Sequence, residues 1–227
     1  MDFRPTEQQQ VLRRAVREFA ETEIRPFVRE WDTVQAFPRA LVAKMAALGL
    51  MGIQFAEEYG GAAMSAIEYC ICVEELARID PAVSLSVAAH NGLCASHIAM
   101  FGTEAQKRRY LVPLATGAWI GAWGLTEPTA GSDAARLRTA AARDGDGWVI
   151  DGTKTFITHG SIGDVIVVMA VTDKARAHRG ISAFIVERGN PGMTTGRKED
   201  KLGMRASDTS EVIFRGCRVP ADAPWKP

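Results

Sequence analysis

The chain has 227 residues, 47% of them hydrophobic and 24% charged, and its 27 Lys+Arg balance 27 Asp+Glu to a formal net charge of zero. That length allows one large domain or two modest ones, and a neutral chain lacks the basic excess with which nucleic-acid binders neutralise phosphates. No run is long and apolar enough to span a bilayer, and the start, MDFRPTEQQQ, lacks the basic-then-apolar layout of a signal peptide, so a cytoplasmic protein without a membrane span is expected.

The first half reads as helices. Thr6 to Gln9 has the Thr-x-x-Gln form of a capping box, in which each side chain satisfies an orphan backbone donor of the helix start. Behind it Val11, Leu12, Ala15, Val16, Phe19 and Ala20 recur at helical spacing. Pro26, with no N–H to donate, predicts a kink or an end. A second helix starts near Pro38 and stops at Gly49. Ser65 to Glu68 is another capping box, and its helix ends before Asp80-Pro81. Ala82 to Phe101 is almost uniformly apolar or small, which predicts a helix buried on most sides. Thr103 to Gln106 caps a last helix, expected to break at Pro113.

The second half changes period. Trp119–Leu125, Gly147–Ile150, Thr155–Thr158, Val165–Val171, Ile181–Val186 and Glu211–Phe214 are short β-rich runs separated by turn dipeptides. Asp151-Gly152 reads as a hairpin turn, because both central residues of such turns take positive φ. Trp148 and Phe156 offer large apolar faces to a small barrel or sandwich. The expected fold class is therefore α+β: an all-α helical domain, residues 1–117, followed by a small β-barrel or sandwich domain, residues 118–227. Without βαβ alternation or GxGxxG, a Rossmann domain is excluded, and any nucleotide cofactor is held another way.

Cys70, Cys72, Cys94 and Cys217 are scattered without CxxC, so small buried side chains are expected rather than zinc or disulfides. His90, His97, His159 and His178 form no HExxH, although His90 and His97, two turns apart, can share a helix face. Lys107, Arg108 and Arg109 read as a solvated face. No metal ligand set is assigned.

The segment Leu125–Asp133, LTEPTAGSD, follows a strand. From its residues alone, an ordinary polar connection and a cofactor-edge loop fit about equally. In the second case backbone N–H groups and the Ser132 hydroxyl donate to flavin or phosphate oxygens. The segment resembles the flavin-site signature of acyl-CoA dehydrogenases, in which a TEPxxGSD loop is followed, after a hairpin, by a W-I-T-N-like strand. Here that strand is Phe156-Ile157-Thr158-His159-Gly160. EEYGG (57–61), FGTEAQKRRYLVPLATG (101–117), FIVERGNPG (184–192), KLGMRASDTSEVIF (201–214) and RVP (218–220) follow in the family's order.

The resemblance implies FAD as cofactor and an acyl-CoA thioester as substrate, dehydrogenated at Cα–Cβ with hydride transfer to flavin N5. It implies cofactor contacts from Trp123, Leu125, Thr126, Gly131, Ser132, Phe156, Ile157 and Thr158, with Ser132 also near the acyl-CoA and Thr158 able to hydrogen-bond near N5. Electron-transfer flavoprotein is the implied electron acceptor, and a homo-oligomer, usually a tetramer or dimer, the implied assembly. Phe156 stands where Trp is common, and His159 where Asn is common. Glu127 is conspicuous, but the family's base lies elsewhere, so Glu127 is expected to accept backbone N–H groups. His90 and Asn91 fall on a helix that borders the family's acyl pocket, and His178 near a CoA-contacting hairpin; packing or surface roles are expected for each. The family's second helical domain, which carries the catalytic glutamate, would begin near Pro227, so no catalytic residue is assigned in this chain, whose activity is expected to be incomplete without that domain. The other readings are a non-catalytic flavin- or acyl-CoA-binding module that needs a partner chain, or an oxidase or flavin monooxygenase on the same fold.

Overall fold

A computed structural model describes residues 4–225, so the first three and last two residues of the domain limits 1–117 and 118–227 lie outside the described residues. All three predicted capping boxes form, with Thr6, Ser65 and Thr103 as N-caps and Gln9, Glu68 and Gln106 returning a bond to the cap backbone. They start α1 (Glu7–Phe19), α4 (Ala66–Ala77) and α7 (Glu104–Gln106). Between them lie α2 (Val28–Val34), α3 (Leu41–Ala47), α5 (Pro81–Ala89) and α6 (Ser96–Phe101); α8 (Val112–Ala115) comes last. Asp80 ends one helix and caps the next. Its carboxylate accepts the Ala82 N–H at 2.8 Å, and Pro81 fills the first turn, where its missing N–H costs nothing.

Neither interior proline stops its helix. A π-turn over Ala20–Ile24 and a 3-10 turn over Arg25–Phe27 carry the chain past Pro26 into α2. The break expected at Pro113 does not occur, because the wide turn Lys107–Leu111 removes the carbonyl that a proline ring would strike and α8 continues. A third π-turn, His90–Ala95, joins α5 to α6. Glu75, 1% exposed, lies between Arg13, Arg17 and Arg78 and accepts from Arg17 at 2.8 and 2.9 Å, which ties α1 to α4.

The second half is one curled eight-stranded sheet: β1 (Gly121–Gly124), β2 (Ala140–Asp144), β3 (Gly147–Thr158), β4 (Val165–Val171), β5 (Ile181–Glu187), β6 (Met193–Lys198), β7 (Thr209–Pro220) and β8 (Pro224–Trp225). The strand order is β6-β7-β3-β2-β4-β5-β8, with β1 parallel to β4. The sheet closes on its own core. Trp148 of β3 meets Phe184 of β5 edge-on at 5.5 Å although β2 and β4 lie between their strands. Alternate residues of β4 face opposite ways: Ile166, Val168 and Ala170 enter that core, while Val165 and Val167 pack on Cys94, Ile98, Leu111 and Leu114 of the helices. Burial on both faces explains why β4 reads as an unbroken apolar run.

The hairpin expected at Asp151-Gly152 is absent. The chain turns instead at Gly145-Asp146, where Asp144 pairs with Gly147, and β3 runs on through Asp151 and Gly152 as a bulge against β7. Gly152 is required there, since a Cβ would lie 2.4 Å from the Thr139 hydroxyl. β2, β6 and β8 are strands that the sequence reading does not contain. Cys72, Cys94 and Cys217 are buried as expected, but Cys70 is exposed on the outer face of α4.

Candidate functional site

β1 and β2 lie one after the other along the same edge of β4, which β1 meets at Val165–Val168 and β2 at Val171. LTEPTAGSD fills the gap between them. Glu127 and Ala130 exchange backbone hydrogen bonds of 2.9 and 3.1 Å, closing a tight turn over Pro128-Thr129. The Glu127 carboxylate accepts the N–H groups of Arg138 and Thr139 at 2.6 and 2.9 Å, as expected of it, and the Lys154 ammonium at 2.7 Å. Lys154, 0% exposed, also donates to the Leu125 carbonyl at 3.1 Å. Burial pushes the Glu127 carboxyl up, but the Lys154 ammonium and the Thr139 and Arg138 donors outweigh it and hold it below the ordinary carboxylate range, while burial lowers the Lys154 ammonium in spite of the Glu127 carboxylate beside it. Sequence reasoning missed Lys154. Its signal was a single cation inside a strand run whose neighbouring loop carries a single buried acid.

The end of β3 lies beside this loop, tied by the Thr155 N–H donating to the Thr126 carbonyl at 2.8 Å. Its pairing to β7 slips between Lys154 and Ile157. In that bulge Phe156 takes a left-handed backbone, φ 58°, and the residue is 64% exposed. A bulky residue at positive φ costs on the order of 1 kcal/mol or more. The strained backbone and the exposure together make Phe156 a candidate contact residue. Replacing Phe156 with Gly is expected to raise the stability of the ligand-free protein by about 0.5–1 kcal/mol while weakening flavin binding. Urea unfolding and flavin titration check the two halves; a loss of stability would show that the ring packs.

The other predicted cofactor residues divide by burial. Leu125, Thr126 and Thr158 are half-buried, and Gly131 and Ser132 are exposed on the loop tip. Thr158 pairs with Thr209 of β7. Ile157 lies in the core of the curled sheet, so only its main chain faces outward, not its side chain. Trp123 packs on the helices with its ring 5.3 Å from His97, and its Nε1 and the Thr155 Oγ1 are buried without a hydrogen-bond partner among the described residues.

The histidines occupy separate places. His90 is fully buried, with Nε2 3.0 Å from the Met51 carbonyl and 3.2 Å from that of Leu114, and Nδ1 accepts the Gly121 N–H at 3.1 Å. Burial, reinforced by His159, pushes its pKa down to about 4, so the ring is neutral. Asn91 donates to the Leu50 and Val87 carbonyls, a packing role. His97 donates to the Leu93 carbonyl, and His178 is exposed. Among the described residues, no three His, Cys, Asp or Glu side chains converge as a metal site. Arg108 and Arg109 pair with Glu58, Glu104 and Glu187 at the surface.

A helical domain set against a curled sheet, with a clamped TEP loop beside a bulged strand end, defines the class: the chain belongs to the acyl-CoA dehydrogenase family, whose N-terminal domain matches residues 6–118 and whose middle domain matches residues 122–217. In particular it is similar to the short-chain specific acyl-CoA dehydrogenase of Clostridium acetobutylicum, 48% identical over 98% of this chain and 59% of the relative. The solved butyryl-CoA dehydrogenase of Megasphaera elsdenii superposes with a TM-score of 0.96 at 41% identity, over 100% of this chain and 60% of that one. A glutaryl-CoA dehydrogenase of Mycobacterium smegmatis in complex with FADH2 superposes at 0.92 and 36% identity, over 97% of this chain and 55% of that one. The chain thus spans about three-fifths of the length of the relatives it matches.

Proposed function

We propose that this chain forms the flavin wall of an FAD-dependent acyl-CoA dehydrogenase acting on short-chain acyl-CoA thioesters, with the residues 1–117 and 118–227 as its helical and sheet domains. The observation that carries the reading is Phe156, an aromatic ring held out on a strained bulge next to the clamped LTEPTAGSD loop. The fit to a flavin is good: an exposed ring offers a flat wall, and half-buried Leu125, Thr126 and Thr158 offer an apolar side chain, hydroxyls and backbone donors within reach of one another across the Thr126–Thr155 hydrogen bond. The Trp123 Nε1 and Thr155 Oγ1 are buried polar atoms without a hydrogen-bond partner among the described residues, on β1 and on β3 beside the bulge. The names of the relatives support the substrate class, and the FADH2 complex of one of them supports the cofactor.

Trp123, Leu125, Thr126, Gly131, Ser132, Phe156, Ile157 and Thr158 would hold the cofactor, Ile157 by its main chain. FAD, when bound, would supply the hydride acceptor for α,β-dehydrogenation. The chain's own part is placement. The buried, hydrogen-bonded Lys154–Glu127 pair fixes the loop's main chain, the bulge presents the ring, and the Ser132 hydroxyl, on the exposed loop tip, would orient the thioester. Holding both reactants in one geometry removes the entropy of bringing them together. Electron-transfer flavoprotein is the proposed acceptor. The test is to express the complete reading frame that contains these residues, measure flavin uptake, and assay butyryl-CoA-dependent reduction of an artificial acceptor. Uptake with turnover is expected; a flavin-free protein inert toward every acyl-CoA would refute the proposal.

A further inference from the structure

β1 is hydrogen-bonded to β4 along one edge only. Among the described residues no strand pairs with its other edge, where the N–H and C=O of Gly121 point. Two buried histidines stand in for the missing strand. The Gly121 N–H donates to His90 Nδ1 at 3.1 Å, and the Gly121 carbonyl lies 2.9 Å from His159 Nδ1. His90 is 0% exposed and His159 1%. The two bonds require opposite tautomers. His90 accepts at Nδ1, so its proton sits on Nε2 and is shared by the Met51 and Leu114 carbonyls. His159 faces an acceptor at Nδ1, so its proton sits there.

Each ring reaches Gly121 from a different part of the molecule. His90 comes from the helical half, at the start of the π-turn after α5. His159 directly follows Phe156-Ile157-Thr158 and sits, like Phe156, at positive φ, 62°. Its backbone N–H donates to the Asp208 carbonyl at 3.0 Å, and its carbonyl accepts from Gly163 at 2.7 Å. From the helical half Phe37 lies 5.7 Å away, ring to ring. There is no space for a side chain at Gly121, since a Cβ would lie 2.6 Å from the Cys94 Sγ. The end of β3 is thereby pinned to the root of β1, three residues after Phe156 and four before Leu125.

We propose that His159 is a positioning residue for the flavin wall, setting the spacing between the Leu125–Thr126 loop and the Phe156–Thr158 strand end through Gly121, with His90 anchoring the same glycine to the helical half. This rests on the flavin reading above. The strand end is tied to the loop at Thr126–Thr155 and through Lys154 to Leu125 and Glu127, and to the root of β1 at Gly121–His159; of these, the tie at Gly121 is the one that His90 carries on to the helical half. An Asn side chain places an amide donor where His159 carries Nδ1–H; a Leu side chain places none.

The test uses the complete flavoprotein with His159→Asn and His159→Leu, at a temperature where both remain folded by circular dichroism. His159→Leu leaves a buried carbonyl unpaired and is expected to weaken FAD affinity roughly tenfold and to shift the flavin reduction potential, whereas His159→Asn stays within about threefold of the parent. Nitrogen-15 spectra of the histidine rings are expected to show the Nε2–H form for His90 and the Nδ1–H form for His159. A purely structural role would lower the unfolding midpoint of His159→Leu without moving affinity or potential in the folded protein, and that result overturns the proposal, as do reversed tautomers. A parent protein that binds no flavin overturns the flavin reading and the proposal together. A parent that binds flavin, with His159→Leu indistinguishable from it, overturns the positioning role alone.

Discussion

Replacing Lys154 with Met is expected to destabilise the protein by about 3–5 kcal/mol, the cost of leaving a buried carboxylate without its counter-ion. Glu127 keeps the Arg138 and Thr139 N–H groups, which places the loss toward the lower end of that range. Lys154 also loses its bond to the Leu125 carbonyl, so the LTEPTAGSD loop loosens at the residue where flavin contact is proposed. Adding Glu127→Gln to Lys154→Met removes the unpaired charge and is expected to recover part of the loss. The two changes are therefore non-additive, and a double-mutant cycle by urea unfolding measures the coupling. A cost below about 1 kcal/mol for Lys154→Met would show that the pair is solvated rather than buried.

The second large effect is acid lability. Burial lowers the His90 pKa to about 4, and burial likewise lowers that of His159. Both are neutral in the folded protein near neutral pH, whereas the unfolded chain takes up protons below about pH 6.5. A depressed folded pKa gives stability that is present above the unfolded pKa and lost as pH falls toward the folded value. His90 alone accounts for a loss on the order of 3 kcal/mol between about pH 6.5 and about pH 4, and His159 adds in the same direction. The charges that face them do not cancel this. Asp164 and Asp208 favour protonation of His90 and His159 respectively, but each is outweighed by burial, and His159 and Arg39 oppose it. Carboxylates held down by donors, such as Glu68 at about 2 beside Ser65 and Gln9, lose their contribution only at more acid pH. Unfolding free energy is therefore expected to fall steadily between about pH 6.5 and about pH 5; a flat profile there would show that the clamp tolerates charged rings.

What was legible in the sequence was local. A capping box is closed by residues three apart, so Thr6–Gln9, Ser65–Glu68 and Thr103–Gln106 are read from sequence and found in the fold. The apolar run Val165–Val171 was likewise legible as a strand, though its burial on both faces emerged only in the fold. The failures are non-local. An Asp-Gly pair serves a hairpin or a bulge equally, and Asp151-Gly152 becomes a bulge because β7, more than fifty residues on, pairs across it. Pro113 is carried through because a wide turn precedes it. Met193–Lys198 and Ala140–Asp144 lack the alternation of apolar residues that marks strands, since they lie on a half-covered or alanine-rich surface.

The candidate site divides in the same way. The loop and the strand end were legible because their residue types stand in a family's order along the chain. Glu127 was readable as an acceptor of backbone N–H groups, since an acid in a turn meets such donors nearby. Its partner Lys154 was not, because burial of a lysine depends on how β3 crosses the loop. His159 was visible only as a departure from the family's Asn; its role emerged once Gly121 showed a strand edge with no neighbouring strand. The strain at Phe156 could not be read at all, because the φ of a phenylalanine is set by the slip between β3 and β7.

The most direct test of the central claim, that this chain walls a flavin which oxidises acyl-CoA, is an anaerobic titration of the purified complete gene product with butyryl-CoA while the visible flavin absorbance is followed. The account predicts a yellow protein whose flavin bands bleach in proportion to added thioester and return on addition of an electron acceptor. A protein that retains no flavin, or a flavin spectrum unmoved by any acyl-CoA, would contradict it.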